Sequence, residues 1–291
     1  MPKVPYSLRT GINPRSAGLE LKTIRDLFVR LYAQLEDEGY THEYFGFFCV
    51  DEPDGIKGKI SDIEYTLLVT LRKDRQLWPI NGWARSYSED DLFDMIEFLF
   101  DRVSKPMDGH MHSYNQCGMH WETFDRAAGQ REFRKRINEL LALYERRFEL
   151  SPDGLILQLP PSGFEQLYEA TVPTEDKTIA ERIEAAKTEY RRHGASLDTR
   201  RHAVADLAGV LEALRPRLGE AITSKDEADL FNIANNFGIR HHNDKQKTDY
   251  DASLWLSWMF YVYLSTIHLI LRRLDSKKPK SNPVAASPGR K

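Results

Sequence analysis

Residues 254–271 read LWLSWMFYVYLSTIHLIL, eighteen positions without a formal charge. That length meets the minimum for a helix that spans a membrane. The polar residues of this region recur at steps of three and four, so they share one helical face: Ser257, Tyr261, Ser265, His268 and Arg272. Lipid would leave that face without hydrogen-bond partners, whereas a neighbouring helix can supply them. The pattern favours a buried helix of a helical bundle, with a membrane span as the alternative.

The composition indicates a soluble, cytoplasmic protein. The chain has 291 residues, 41% hydrophobic and 29% charged, which is enough to bury one large or two ordinary cores. A net charge of −3 excludes a global basic field, so any binding of nucleic acid must be local. Cys49 and Cys117 are too few for a disulfide framework, and the N-terminus lacks the apolar core of a secretory signal. We therefore expect a reducing cytosol and no membrane partner.

The first half of the chain is predicted to be an α+β domain. Apolar residues at helical spacing predict three helices, at 19–35, 88–100 and 130–144. Ser88, followed three residues later by an aspartate, is a helix-start signal for the second of them. Aromatic and β-branched runs predict strands at 44–50 and 64–71, and a hairpin at 148–159.

The second half is predicted to be an all-α four-helix bundle. A polar stretch with a proline, TVPTEDK at 171–177, is the expected linker, which gives an N-terminal domain at 1–172 and a bundle at 173–274. The predicted helices are 177–193, 199–214, 225–243 and 251–274, the last capped by Thr248 and Asp251. Short connections between them favour an antiparallel bundle. The Lys-, Pro- and Ser-rich tail at 275–291 is predicted to be disordered.

A polar cluster lies between the last two predicted helices, in NIANNFGIRHHNDKQKTDYD at 232–251. Folding does not require an arginine, two histidines and several asparagines so close together, since asparagine is a modest helix former. One interpretation is RNA cleavage, in which one imidazole removes the 2′ hydroxyl proton, a second protonates the leaving oxygen, and a guanidinium stabilises the transition state. The expected catalytic residues are Arg240, His241 and His242, and the expected RNA-binding residues are Asn232, Asn236 and Asn243. This chemistry requires no metal or other cofactor.

The alternative interpretation is structural. In this interpretation Arg240 and the two histidines pair with Asp244, Asp249 or Asp251, and these pairs fix the end of the helix.

The bundle with RHHN at the junction of its last two helices resembles the HEPN superfamily of compact helical domains. The segments IEFLFDRVSKP, FRKRINELLALY and FELSPDGLI are also similar to the N-terminal domain that precedes such bundles in bacterial abortive-infection proteins. The resemblance implies a metal-independent endoribonuclease that acts as a homodimer in antiviral defence, and it carries over Arg240 and His241. The roles assigned to His242 and the asparagines are inferred from spacing alone.

The sequence departs from the HEPN pattern at one position that matters. The family uses a histidine four to six residues after its arginine, but positions 244–247 are Asp, Lys, Gln and Lys. Either His241 or His242 substitutes for that histidine, or the domain binds without cleaving.

A second group of polar residues occurs in GHMHSYNQCGMHW at 109–121. Its potential zinc ligands are His110, His112, Cys117 and His120, because His-x-His suits one strand face and Cys-x-x-His suits a tight turn. The spacing matches no standard zinc module, and a hydrogen-bonded surface loop is the alternative interpretation.

Three functions follow from the sequence, of which the third is a zinc-dependent enzyme in the N-terminal domain. The leading hypothesis is a toxin-like RNase effector of abortive infection, a homodimer that works with a protein partner of the same defence system. The runner-up is a non-catalytic HEPN-type module that binds RNA, a nucleotide or a protein.

Overall fold

The computed structural model describes residues 6–10, 18–161, 163–236 and 251–277. Two compact units divide the chain, Met1–Leu159 and Pro160–Lys291. The helices of the first unit are α1 (Tyr6–Arg9), α2 (Leu21–Asp37), α3 (His42–Phe45), α4 (Ile63–Leu71), α5 (Ile80–Trp83), α6 (Glu89–Phe100) and α7 (Arg126–Leu141). The strands are β1 (Phe47–Cys49), β2 (Glu52–Ile56), β3 (Lys105–Pro106), β4 (Gly109–His112), β5 (Gly118–Trp121), β6 (Phe124–Asp125), β7 (Phe148–Leu150) and β8 (Ile156–Gln158). The second unit contains α8 (Glu165–Glu169), α9 (Lys177–Arg191), α10 (Leu197–Leu214), α11 (Ser224–Asn236) and α12 (Ala252–Ser276).

Three amphipathic helices, α2, α6 and α7, supply most of the core of the N-terminal unit. Ile24 and Phe28 of α2, Ile96 of α6 and Phe133 of α7 are all almost completely buried. Ser88 begins α6 in a capping box, because its hydroxyl accepts from the Asp91 backbone N–H and the Asp91 carboxylate accepts from the Ser88 backbone N–H. The helix-start signal in the sequence is therefore confirmed.

The strands pair only in twos. β1 pairs with β2, β4 with β5 and β7 with β8, each antiparallel, while β3 pairs with β6 at the base of the β4–β5 hairpin. The predicted mixed α+β character of this region is confirmed, including the hairpin at 148–159.

The prediction of a strand at 64–71 is wrong, since this segment is helix α4. Asp62 caps it by accepting from the Tyr65 backbone N–H at 2.9 Å, and Arg72 ends it in the left-handed conformation. The β-branched residues of this run suggested a strand, but the cap and the local hydrogen bonds outweigh that weak propensity. Leu67 is the only residue of α4 that is buried.

The C-terminal unit is mainly helical, as predicted. Helices α9, α10 and α12 pack their apolar faces together around Ile183, Leu207, Phe260 and Leu264, all fully buried. Asp251 caps α12 by accepting from the backbone N–H groups of Ser253 and Leu254, as expected, whereas Thr248 lies outside the described residues.

Helix α12 has the length and hydropathy to cross a membrane, with 56% of its most apolar window buried inside the unit. Eleven of its residues are buried. On its polar face Tyr261 and His268 are buried, while Ser265 is exposed and donates to the Tyr261 carbonyl of its own helix. The face is thus only partly covered by neighbours.

The division between the units comes earlier in the chain than the linker suggested. Tyr168 of α8 and Val172 belong to the core of the helical unit, so the segment 160–172 packs with the second unit. The sequence placed it in the first because the polar TVPTEDK stretch at 171–177, rather than the PPSG stretch at 160–163 before α8, was the expected linker.

Candidate metal centre

Two hairpins of the N-terminal unit bring together the only two cysteines of the chain. In the first hairpin Cys49 pairs with Glu52, so Asp51 lies in the turn between β1 and β2. In the second hairpin His112, the last residue of β4, pairs with Gly118, the first residue of β5. The segment between these two residues carries Cys117. The first hairpin tip therefore presents a sulfur ligand, and the second presents a sulfur and two imidazole ligands.

Two glycines allow the second hairpin to form. Gly118 has a φ of 104°, which side-chain-bearing residues rarely adopt. At Gly109, an added Cβ would lie 2.2 Å from the carbonyl oxygen of His120, so the strands approach too closely for any side chain there. The glycines at 109 and 118 thus fix the pairing that directs His112 and His120.

Four side chains converge at these tips: Cys49, His112, Cys117 and His120. Their ligand atoms all lie within 4.8 Å of one another. The Sγ atom of Cys117 lies 3.2 Å from Nε2 of His120, and the Sγ atom of Cys49 lies 3.8 Å from Nδ1 of His112. The cluster therefore offers two sulfurs and two imidazole nitrogens to one point.

The surroundings of the cluster favour neutral imidazole. Cys49 is 3% exposed and His120 is 9% exposed, whereas His112 and Cys117 are half-buried. Burial lowers the pKa of His120, and the neighbouring His112 and His110 lower it further. Neutral imidazole is the form that binds a metal ion.

Neighbouring residues orient the two rings. Oδ2 of Asp51 lies 3.1 Å from Nε2 of His112, which leaves Nδ1 of that ring facing Cys49. A carboxylate on the far nitrogen of a histidine fixes its tautomer and its orientation toward a metal. The ring of Phe47 contacts the ring of His120 edge-on at 5.1 Å between centroids, which limits its rotation.

The structure brings together three of the four zinc ligands predicted from the sequence. His110 is not in the cluster; its Nδ1 lies 2.7 Å from Oε1 of Glu122, and its side chain is 63% exposed. His110 lies on the same face of β4 as His112, and its ring is 5.3 Å from the ring of His120 between centroids, but Glu122 holds its Nδ1 away from the cluster. Cys49 takes its place in the cluster.

Local spacing could not reveal Cys49, because it lies 63 positions before His112. The available signal was its chemistry: it is the only other cysteine in the chain, and it lies at the end of a predicted strand. Recognising that signal as a ligand required the fold.

The polar turn predicted as a catalytic site falls mostly outside the described residues. This applies to Arg240, His241, His242 and Asn243. Asn232 is exposed on α11, and Asn236 is the last residue of that helix.

Comparison of the chain with models of protein families, with curated proteins and with solved structures finds no match.

Proposed function

We propose that the N-terminal unit binds one zinc ion through Cys49, His112, Cys117 and His120. The observation that carries the proposal is the convergence of two thiols and two imidazoles, all ligand atoms within 4.8 Å, at the tips of two hairpins. Two sulfur and two nitrogen ligands are a donor set that zinc prefers in proteins.

A structural role follows from the number of ligands. Four protein ligands fill a tetrahedral zinc site and leave no position for a catalytic water. Two-stranded hairpins are marginally stable alone, and β1–β2 and β4–β5 have only three to five residues in each strand. An ion shared by their tips would close the long loop between Cys49 and His112 and hold the hairpins against each other.

Metal analysis of the purified full-length chain tests the proposal. We expect one zinc per chain and, after replacement by cobalt, the visible absorption bands of tetrahedral cobalt bound to thiolate. Cys49→Ser and Cys117→Ser should each lose stoichiometric metal. His110→Gln is the matched control, because His110 lies on the same strand as His112 but outside the cluster, and it should keep the metal. Wild-type protein that binds no zinc, or loss of zinc in His110→Gln equal to that in Cys49→Ser, would overturn the site.

We further propose that the C-terminal unit is a HEPN-like bundle with metal-independent RNase activity, which would place the protein among abortive-infection effectors. The observation that favours it is that Arg240 and His241 lie, in sequence, between Asn236 of α11 and Ala252 of α12, two helices of a mainly helical unit. That is where the resemblance places the catalytic arginine. A homodimer is part of this hypothesis. Binding of RNA, a nucleotide or a protein without cleavage is the alternative, because the downstream histidine of the pattern is missing.

Cleavage of RNA by the zinc-loaded chain, in buffer freed of magnesium and calcium, tests this second proposal. The expected products carry cyclic phosphate ends, and Arg240→Ala should abolish them. Asn232→Ala is a useful companion variant, because it removes an exposed amide of α11 without touching the arginine. Equal cleavage by wild type and Arg240→Ala would exclude Arg240 as the catalytic group.

A further inference from the structure

The connection between α9 and α10 carries the same tripeptide, Arg-Arg-His, on both sides. The first copy is 191–193 at the end of α9, and the second is 200–202 in the first turns of α10. Asp198 is the only carboxylate in the sequence between these copies. This end of the unit, which we call the arginine turn (191–202), is therefore strongly basic in a chain whose net charge is −3.

Aromatic rings support two of the arginines. The guanidinium of Arg191 lies 4.8 Å from the centroid of the Tyr168 ring, and that of Arg200 lies 5.7 Å from the centroid of the Tyr190 ring. Both tyrosines pack edge-on against Tyr261, at 5.9 and 6.5 Å between centroids. The two guanidiniums are thus held near one aromatic cluster by cation–π contacts.

Two arginines of the arginine turn have no ion-pair partner among the described residues. Within the described ranges, neither Arg192, which is exposed, nor Arg200 forms an ion pair, and Nε of Arg200 is buried without a hydrogen-bond partner. Asp198 lies 3.6 Å from Arg201 and 3.8 Å from His202, but its side chain is 70% exposed, so water screens these pairs. A ligand that brings oxygen anions would supply a partner for the exposed Arg192.

An exposed aromatic ring lies on the same cluster. Phe164 is 39% exposed, and its ring packs on that of Tyr261 at 4.1 Å between centroids. Arginines that follow a phosphate backbone, combined with an aromatic ring on which a base can stack, are typical of proteins that bind single-stranded nucleic acid. An anionic membrane fits less well, because the apolar faces of α9 and α10 are buried in the core of the unit.

We infer that the arginine turn binds the phosphate backbone of single-stranded RNA, with Phe164 stacking on a base. This site goes beyond the zinc site, and it requires no cleavage by Arg240. Phosphate oxygens would bind Arg192, Arg200 and Arg201, and the unpaired base would cover the exposed face of the Phe164 ring.

Fluorescence anisotropy with a labelled polyuridine of about 16 nucleotides tests the inference on the full-length, zinc-loaded chain. Arg192→Glu should raise the Kd about tenfold and reduce the slope of log K against log salt by about 0.7 per lost phosphate contact. Phe164→Ala should raise the Kd by about tenfold with the salt slope unchanged, since base stacking is not ionic. Arg217→Glu is the matched control: Arg217 is 52% exposed, follows the other end of α10, and should leave the Kd within about twofold.

Several outcomes would overturn the inference. They are no binding of polyuridine by the wild type, equal affinity of wild type and Arg192→Glu, equal loss in Arg217→Glu, or binding only to phosphatidylserine vesicles. Circular dichroism and zinc content of each variant separate these outcomes from loss of folding or of the metal site. Cleavage is measured with Arg240→Ala and affinity with Arg192→Glu, so failure of the proposed RNase activity and failure of this inference are distinguishable.

Discussion

The two units of this protein handle buried polar groups differently. In the N-terminal unit Asp91 is 1% exposed, and its carboxylate lies 3.0 Å from Nζ of Lys73 and 2.5 Å from a guanidinium nitrogen of Arg75. In the C-terminal unit His268 is 4% exposed, and neither ring nitrogen has a hydrogen-bond partner within the described structure. A buried polar group without partners destabilises the fold, so the second unit carries at His268 a cost that the first avoids at Asp91.

The difference follows from the architecture of each unit. Long helices satisfy their own backbone, and α9, α10 and α12 bury wide apolar faces that can tolerate one unpaired imidazole. In the N-terminal unit the hairpins β1–β2 and β4–β5 bury few apolar side chains, whereas α2, α6 and α7 form an apolar core. At these two hairpins the proposed zinc ion would supply the stabilisation that apolar packing supplies to the helices.

Truncation of one core residue in each unit should have the largest effect. Phe133 of α7 and Phe260 of α12 are both 0% exposed, and each change to alanine should lower the free energy of unfolding by about 3–5 kcal/mol. Calorimetry of the two variants measures which transition shifts. We expect Phe133→Ala to move one transition and Phe260→Ala another. A single transition moved by both would show that the units unfold together and would break the comparison.

Removal of zinc should destabilise only the two hairpins. With free zinc at about 100 times the Kd, loss of the ion should cost about 2.7 kcal/mol of local stability. Hydrogen exchange before and after chelation measures it: amides of 47–56 and 109–121 should exchange faster, while those of α2 and α6 keep their protection because the apolar core lies apart from the cluster. Unchanged exchange in both hairpins would contradict the structural role of the ion.

A smaller effect is expected at Asp51, which lies 3.1 Å from the ring of His112. Asp51→Asn should weaken zinc binding by about 10- to 100-fold without changing the stoichiometry, because the amide orients the imidazole less firmly. Competition with a chelator of known affinity measures the change. Glu122→Gln, beside His110, is the control, and a loss of affinity equal to that of Asp51→Asn would exclude a specific role for Asp51.

The smallest effect concerns the pH dependence of the helical unit. Burial lowers the pKa of His268, and the positive charges of Lys187 and Arg272 lower it further, opposed by Glu184. The unfolded chain therefore takes up a proton at a higher pH than the folded chain. The contribution of neutral His268 to the free energy of unfolding should be fully present above the unfolded pKa of about 6.5. It should be lost as the pH drops below that value, which lowers the free energy of unfolding by about 1 kcal/mol.

Urea unfolding at neutral and mildly acidic pH, followed by the fluorescence of Trp255 and Trp258, checks this expectation. His268→Leu should remove this part of the pH dependence and raise stability at low pH. The same acid loss in His268→Leu as in the wild type would assign the pH dependence to other groups.

Sequence reasoning succeeded where the signal is local. Ser88 and Asp91 mark the start of α6, and Asp251 marks the start of α12, because a capping side chain bonds to backbone within three residues. It failed at α4, where a β-branched run hid the cap at Asp62. The RHHN motif was found by the same local reading, and its catalytic role stays a prediction.

The sequence by itself determined that the second half of the chain is mainly helical, since the 3.6-residue period and the caps are properties of neighbouring residues. It also identified His112, Cys117 and His120, which lie within nine positions of one another, as potential ligands. Only the tertiary structure decided that Cys49 joins them and that His110 pairs with Glu122 instead. A ligand 63 positions away is brought into the cluster by the packing of two hairpins, and no local period or spacing encodes that packing.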